Sequence, residues 1–305
     1  MTTAAETSSI VIRDVNKQAE MRAIEELQKE VWGIPDLDVV PLSHLVAARA
    51  AGGVLLGAFD GENLVGFVYG FVGYEHGQTA HHSHMLAVKP DYRRFNLGQR
   101  LKLAQRERVL EQGINLMSWT FDPLQSLNAH FNFNKLGVIS DRYLINFYGD
   151  DAASFLHRNG TDRLWVTWKL NSRRVNERIE RMNFKQSAQT APPVETEFGQ
   201  ISPLVRVGDD ESPHSGDLVE GLADEPALIE IPANINDLER RSGESAAAWR
   251  EATRRAFTKA FAAGYLVEDF YRLTRGDRQI GIYLLSREKK LTTLRQEVTN
   301  EYEAE

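Results

Sequence analysis

Two histidines spaced two residues apart, His82 and His84, are the side chains of this sequence best suited to proton transfer. They lie in the segment HSHMLAV (82–88), which has no helix breaker and is predicted to be a strand. Both should therefore point to one face of the strand, whereas His81 and Ser83 point to the other. Imidazole titrates near neutral pH and can take a proton from an ammonium group directly or through water. Two other interpretations stay open: the pair can be structural, or it can share a metal ion.

A basic loop follows this strand and leads into a helix. Pro90 ends the strand because proline cannot donate to a sheet ladder, and Leu97 and Leu101 then share one face of a helical run. A loop with small or αL-tolerant residues, here Asn96 and Gly98, can turn successive N–H groups toward an anion at the helix start. Positive charge would be added by Arg93, Arg94, Arg100 and Lys102. The loop is therefore a candidate pyrophosphate site.

The elements that must position these groups follow from hydrophobic periodicity and turn residues. Strands are predicted at 10–13, 54–59, 64–74, 81–88, 114–121, 138–148 and 164–170. Helices are predicted at 17–31, 42–51, after Asn96, and at 125–135. The turn at 60–63 should make a hairpin of its two flanking strands. The fold class is α/β (α+β), with a mixed, mostly antiparallel sheet flanked by helices.

The loop pattern Arg93-x-x-Asn96-x-Gly98 resembles the acyl-CoA loop of the GNAT acetyltransferase superfamily, Gln/Arg-x-x-Gly-x-Gly/Ala. Asn96 stands where the first glycine is usual, and asparagine is the other residue that best tolerates positive φ. The order of elements over residues 9–171 is also similar to that of the superfamily. The resemblance implies a splayed sheet that admits acetyl-CoA or another acyl-CoA as co-substrate, with no metal.

A second segment, NAHFNFNKLG (128–137), resembles the family's later helix, which ends Phe-Tyr-x-Lys-Leu-Gly. The resemblance implies that Asn128 and this helix border the pantetheine arm of CoA. Phe133 stands where the family often has a tyrosine that protonates the departing thiolate, and phenylalanine has no proton to give. Tyr143, Tyr148 or water are the alternative acids. An amphipathic helix with a C-cap at Gly137 would give the same pattern without any CoA contact.

The segment around His82 and His84 resembles the His-x-His-x-Leu-Ala-Val strand of arylalkylamine N-acetyltransferases. The resemblance implies that these histidines help to take the proton from the amine, and that a backbone N–H near Val88 stabilises the oxyanion. It also implies a set of residues that contact CoA: Leu86, Ala87, Val88, Arg93, Arg94, Phe95, Asn96, Leu97, Gly98, Gln99, Arg100, Asn128 and Phe133.

Composition limits the class of protein. The 305 residues are 42% hydrophobic and 26% charged, as in a globular protein, with no apolar run long enough for a membrane span. The absence of cysteine excludes disulfides and a thiolate nucleophile and agrees with a cytoplasmic location, which is the prediction. The net charge of −7 argues against nucleic acid as a partner. The expected partner is a small amine or amino acid, not a membrane, and a homodimer is left open.

The remaining chain lies beyond the resemblance. The predicted division is a GNAT domain at 1–171, a linker or extended excursion at 172–226, and an α/β subdomain at 227–305. The stretch 186–226 holds five of the ten prolines, which favours the linker. Strands at 227–231, 265–272 and 279–285 and helices at 234–240 and 244–263 suggest an incomplete GNAT-like half. A small cap that shapes the acceptor site is the alternative, and 289–305 is predicted to be frayed.

The predicted reaction is transfer of an acyl group, most simply acetyl, from CoA to a small primary amine or amino acid by direct attack on the thioester. Two alternatives are kept. One is a non-catalytic acyl-CoA sensor with the same fold, and the other is a transferase that uses succinyl-CoA or another acyl donor.

Overall fold

The computed structural model describes residues 10–149, 159–183, 201–223 and 225–287. The predicted frayed tail at 289–305 and part of the predicted linker lie outside these residues. The chain divides into two compact units, the first made of Met1–Trp119 with Ala153–Arg158 and the second of Thr120–Ala152 with Asn159–Glu305. The domain limits drawn from the sequence, 1–171, 172–226 and 227–305, remain a prediction.

The first unit is built on a sheet with the order β1-β2-β3-β4-β5. Its strands are β1 (Ile10–Asp14), β2 (Val54–Asp60), β3 (Asn63–Glu75), β4 (Gln78–Val88) and β5 (Leu116–Phe121), the last two residues of β5 belonging to the second unit. The first four strands pair antiparallel, and β5 runs parallel to β4. Asp60 pairs with Asn63 across a two-residue turn, which confirms the predicted hairpin.

Three helices cover this sheet: α1 (Gln18–Trp32), α2 (Leu42–Ala50) and α3 (Leu97–Glu111). Helix α1 presents Met21, Ile24 and Leu27 to the core at helical spacing, as predicted. The buried amide of Gln28 donates to the Val40 carbonyl at 3.1 Å and accepts from the Val40 N–H at 2.8 Å, so it fixes the connection to α2. The core joins these residues to Val15, which follows β1, to Leu45 of α2, and to six residues of the sheet: Leu55, Phe59, Leu64, Phe67, Tyr69 and Ala87.

Within the second unit the strands lie in the order β7-β6-β11-β12-β10-β8-β9. The strands are β6 (Ile139–Leu144), β7 (Arg163–Lys169), β8 (Val205–Val207), β9 (Pro213–Ser215), β10 (Ala227–Pro232), β11 (Tyr265–Arg275) and β12 (Arg278–Arg287). Every described pairing is antiparallel except that of β10 with β8. The predicted fold class, with a mixed, mostly antiparallel sheet and flanking helices, is confirmed.

The helices of the second unit are α4 (Ser126–Ala129), which continues as a π-helix (His130–Leu136), α5 (Arg173–Asn183), α6 (Leu218–Gly221), α7 (Ile235–Arg241) and α8 (Gly243–Ala262). Helix α8 buries Trp249, Thr253, Ala256, Phe257 and Ala260, the stripe that its sequence predicts. Among the described helices, none is long and apolar enough to cross a membrane.

Regular structure occurs within the segment predicted to be a linker. Helix α5 lies there, and β8 places Val205 opposite Ile229 of β10. Val205 and Val207, at the two ends of β8, are buried. The high proline content around them favoured a linker and gave no indication of this strand. Helix α5 has few apolar residues and is held by arginines instead: Arg174 donates to the Gly137 carbonyl at 3.1 Å, and Arg178 pairs with Asp269.

Candidate active site

A β-bulge in β4 lies at His84. Tyr69 of β3 is opposite Met85 and Gly70 is opposite Ser83, so His84 is the extra residue on the bulged strand. His82 and His84 nevertheless lie side by side, with ring centroids 6.3 Å apart, as their spacing predicts. Both rings contact Phe71, at centroid distances of 5.4 and 5.8 Å. The bulge thus gathers two imidazoles around one phenyl ring.

The surroundings of these histidines keep both imidazoles neutral near pH 7. Burial, then the neighbouring His84 and Lys102, lowers the pKa of His82 to about 4. The protein packed around His84, and then His44, lowers the pKa of His84, although its side chain keeps contact with solvent. His82 Nδ1 lies 3.3 Å from Ser118 Oγ of β5, which orients the ring. A neutral imidazole has a lone pair and can accept a proton.

Two residues beside this pair were not predicted. Tyr69 is fully buried, and its hydroxyl lies 2.8 Å from Nε2 of His44 on α2. Burial raises the pKa of Tyr69 to about 12, so the phenol stays protonated. Its ring stands edge-on to His84 at 6.1 Å. Tyr69 lies in an apolar run and His44 in an exposed helix, and only tertiary packing brings the two together beside the bulge.

The loop after β4 has the geometry predicted for an anion site. Pro90–Phe95 forms a 3₁₀ helix, and Asn96 adopts the left-handed conformation (φ 54°) directly before α3. The predicted positive φ of Asn96 is confirmed. The first N–H groups of a helix have no intrahelical acceptor, and here the exposed side chains of Arg93 and Arg94 lie beside them in sequence. These groups fit a pyrophosphate.

The other two predicted cations, Arg100 and Lys102, contact other parts of the protein. Arg100 donates to the Ile10 carbonyl of β1 at 2.8 Å. The prediction that Lys102 adds mobile charge to the loop is wrong, because Lys102 is buried with its Nζ 3.7 Å from the centroid of Trp119. Burial lowers the pKa of Lys102 well below its ordinary value. Helical spacing places this lysine on one face of α3 with Gln105 and Val109, which are also buried.

The end of β4 presents one backbone edge away from β3. Lys89 N–H donates to the Val65 carbonyl at 2.9 Å, and the Val88 carbonyl accepts from Arg93 Nε at 3.4 Å. Because hydrogen-bonding direction alternates along a strand, the N–H of Val88 shares the edge that its carbonyl occupies. Within the described residues, β5 pairs with β4 only at His81–Met117 and His82–Ser118. The Val88 N–H therefore points to the side on which the two parallel strands have parted.

Three more predicted CoA contacts lie in β4 and α3. Leu86 and Ala87 precede Val88, with Ala87 buried opposite Phe67 and Leu86 half-buried. Gly98 lies in the first turn of α3, where an added Cβ would meet only Leu86 at 3.6 Å. The neighbouring predicted contacts, Phe95, Leu97 and Gln99, differ in exposure: Leu97 is fully buried, whereas Phe95 and Gln99 are half-buried.

The second predicted motif lies in the second unit and divides into two parts. Asn128 is exposed on α4. Phe133 is fully buried, with its ring 6.1 Å from Phe121 and 5.8 Å from Tyr283 in edge-to-face contacts. The structure therefore corrects the expectation of a side-chain contact from Phe133 to CoA, because that ring belongs to the core. Gly137 ends the helix with φ 75°, which confirms the predicted C-cap.

The two candidate tyrosines also belong to the second unit. The Tyr143 hydroxyl donates to Asp162 at 2.7 Å, and its ring stacks on Phe257. Burial, with Asp162 beside it, raises the pKa of Tyr143, which makes it a poor proton donor. Tyr148 has an exposed side chain and is anchored through its backbone N–H to Thr161 Oγ1 at 3.1 Å. No group of three metal-ligating side chains gathers within the described part of the chain.

Comparison with known proteins finds one family model that matches part of the chain. Residues 19–137 match the model of the Acetyltransferase (GNAT) family. No curated protein matches the chain. Among solved structures, a putative GNAT-family acetyltransferase of Desulfovibrio desulfuricans aligns with a TM-score of 0.44 and 13% identity over 53% of this chain and 99% of that one. The ribosomal-protein-S18-alanine N-acetyltransferase of Escherichia coli aligns at 0.42 and 13% over 53% and 94%. The PaiA N-acetyltransferase of Thermoplasma acidophilum, solved with coenzyme A, aligns at 0.39 and 17% over 53% and 99%.

Proposed function

Since residues 19–137 match the model of the GNAT acetyltransferase family, we propose that the protein is an acyl-CoA-dependent N-acyltransferase. The acyl group is most simply acetyl, and the acceptor is a small primary amine or amino acid. One observation carries this proposal: the single strand β4 bears two neutral imidazoles and ends at a backbone edge turned away from β3, and one short 3₁₀ helix then leads to the left-handed Asn96.

Each part of this strand–loop–helix has a role in the proposal. Bound acyl-CoA would supply a thioester carbonyl carbon for the amine to attack. His82 or His84 would accept the proton that the amine loses, directly or through water. The Val88 N–H would donate a hydrogen bond to the carbonyl oxygen, where such a donor is worth roughly a hundredfold or more in rate. Arg93 and Arg94, with the first N–H groups of α3, would hold the pyrophosphate.

The proton for the departing thiolate has fewer candidate donors than the sequence suggested. Phe133 has no proton to give, and Tyr143 is held by a buried carboxylate that disfavours its ionisation. Tyr148 and water remain as proposed donors. A Tyr148→Phe variant tests the choice, because loss of the donor should lower kcat and leave the affinity for acyl-CoA unchanged.

Calorimetric titration with acetyl-CoA, with succinyl-CoA and desulfo-CoA for comparison, tests the binding site first. We expect micromolar binding that is strongly weakened in Arg93→Glu and in Arg94→Glu. Arg22→Glu, on the exposed surface of α1 in the same unit, is the matched control because it reverses one surface charge far from the loop in sequence. Retained binding in both loop variants would refute the assignment of the pyrophosphate site.

Turnover is tested next, with thiol release measured on a panel of small amines and amino acids. We expect release that depends on the amine and falls sharply in the double variant His82→Gln/His84→Gln. The second candidate function, an acyl-CoA sensor, is favoured by the pKa of about 4 of His82, which makes this imidazole a weak base. CoA binding without turnover on any amine, and without an effect of His84→Ala, would establish the sensor instead.

A further inference from the structure

A buried row of four polar side chains connects α3 to β4 on the side opposite to His82 and His84. Lys102 Nζ donates to Ser83 Oγ at 2.6 Å, and Ser83 Oγ donates to Gln105 Oε1 at 2.7 Å. Gln105 Nε2 lies 3.2 Å from His81 Nε2. These four residues, called here the Lys102 network, are each at most 5% exposed.

The direction of every hydrogen bond in this network follows from its first member. The amine of Lys102 donates a hydrogen bond to Ser83 Oγ. The single hydroxyl proton of Ser83 is therefore available for a hydrogen bond to Gln105 Oε1. The amide nitrogen of Gln105 must then donate to His81, which makes His81 Nε2 an acceptor and places the proton on Nδ1. His81 Nδ1 is buried and has no hydrogen-bond partner. The network therefore fixes both the ring orientation and the tautomer of His81 through Nε2 alone.

The network joins the two parts of the proposed active site. Lys102 and Gln105 lie on α3, whose first turn follows Asn96, whereas His81 and Ser83 alternate along β4 with His82 and His84. The protein is tightly packed at the bulge, since a Cβ on Gly70 of β3 would lie 2.3 Å from His81 Nε2. Loss of any one member would leave buried polar groups unpaired, so the four residues act as a unit.

We propose that the Lys102 network is a positioning device that holds the bulged segment of β4, and with it His82 and His84, in a fixed place relative to the acyl-CoA end of α3. Its members do not touch the reacting atoms. Its catalytic meaning rests on the proposed function, whereas its structural content can be measured in the free protein.

A matched pair of variants isolates the central hydrogen bonds. Ser83→Thr and Ser83→Val introduce side chains of nearly the same shape, and only the first keeps a hydroxyl. We expect the valine variant to have a kcat about tenfold below that of the threonine variant, because a small displacement of reacting groups has effects of this size. The dissociation constant for acetyl-CoA should be the same in both. Equal kcat values in two folded variants would overturn the proposal.

A second measurement needs no turnover. Imidazole ¹⁵N chemical shifts of the wild-type protein should report His81 as the neutral Nδ1–H tautomer, and Lys102→Met should shift the His82 and His84 resonances. An Nε2–H tautomer or a charged His81 would overturn the network. If acetyl-CoA binds and no amine is acylated, the proposed transfer fails. The network is then judged by the tautomer and by the response of the resonances to Lys102→Met.

Discussion

Acid should destabilise this protein through His81, beginning below about pH 6.5. Burial, then Lys102 and His82, lowers the pKa of His81 from 6.5 to about 3. The folded state therefore prefers the neutral ring, and the unfolded state binds more protons between these two values. The stabilisation that comes from the neutral His81 ring is fully present above about pH 6.5 and is lost as the pH falls toward 3. At about pH 5 the expected loss from His81 alone is about 2 kcal/mol.

The measurement is the free energy of unfolding from denaturant titrations at about pH 7 and pH 5, in wild type and in His81→Asn. The variant will be less stable at both pH values because it leaves a cavity, so the informative quantity is the change with pH. We expect that change to be about 2 kcal/mol smaller in the variant than in wild type. His82 and His84, whose pKa values are also lowered, keep contributing to it in both proteins.

Val109→Ala is the matched control, because Val109 is fully buried on α3 and its truncation removes no titrating group. This variant should lose stability equally at both pH values and keep the full wild-type change. The same pH dependence in wild type and in His81→Asn would refute the reasoning. It would mean that the His81 ring reaches solvent, or gains a partner for its proton, in the folded protein.

Three further outcomes are expected. Gly70→Ala should cost about 1–3 kcal/mol in thermal or denaturant unfolding, since its Cβ would meet three atoms within 2.9 Å, whereas Gly73→Ala has open space and should be nearly neutral. Asp122→Asn should cost about 3–5 kcal/mol, because it leaves the guanidinium of Arg250 buried without its carboxylate partner at 2.7 Å. Because the pKa of His82 is about 4, kcat/KM above about pH 6 should follow the ionisation of the acceptor amine and shift between two amines of different pKa. An apparent pKa of kcat/KM that is the same for both amines would contradict this.

The local parts of the candidate site could be predicted from the sequence. Strand β4, the turn at Pro90, the left-handed Asn96 and the start of α3 all follow from the conformational preferences of a few adjacent residues. Such preferences act over one or two turns of chain and need no knowledge of the rest of the fold. The spacing of His82 and His84 likewise sufficed to place both on one face.

The rest of the site depends on pairing between distant segments. The bulge at His84 adds one residue against β3 and leaves no mark in the sequence of β4 itself. The charge of Lys102 suggested an exposed residue, and its burial was decided by Trp119 and Ser83 on neighbouring strands. The sequence offers Tyr143 as one alternative acid, and the carboxylate that accepts from its hydroxyl, Asp162, lies nineteen residues later in the chain.

The histidines of β4 and the lysine of α3 together explain why proton acceptance and acid sensitivity should occur in one strand. Burial and the nearby lysine amine both oppose a positive charge on His81 and His82, so these rings stay neutral at the pH where an amine must be deprotonated. The same effects make protonation of the folded state costly. A substitution that opens the buried side of β4 to water should therefore raise the pKa values of both histidines and flatten the pH dependence of stability together. If only the histidine pKa values changed, or only the pH dependence of stability, the Lys102 network would not be coupled to the rings that it is proposed to hold.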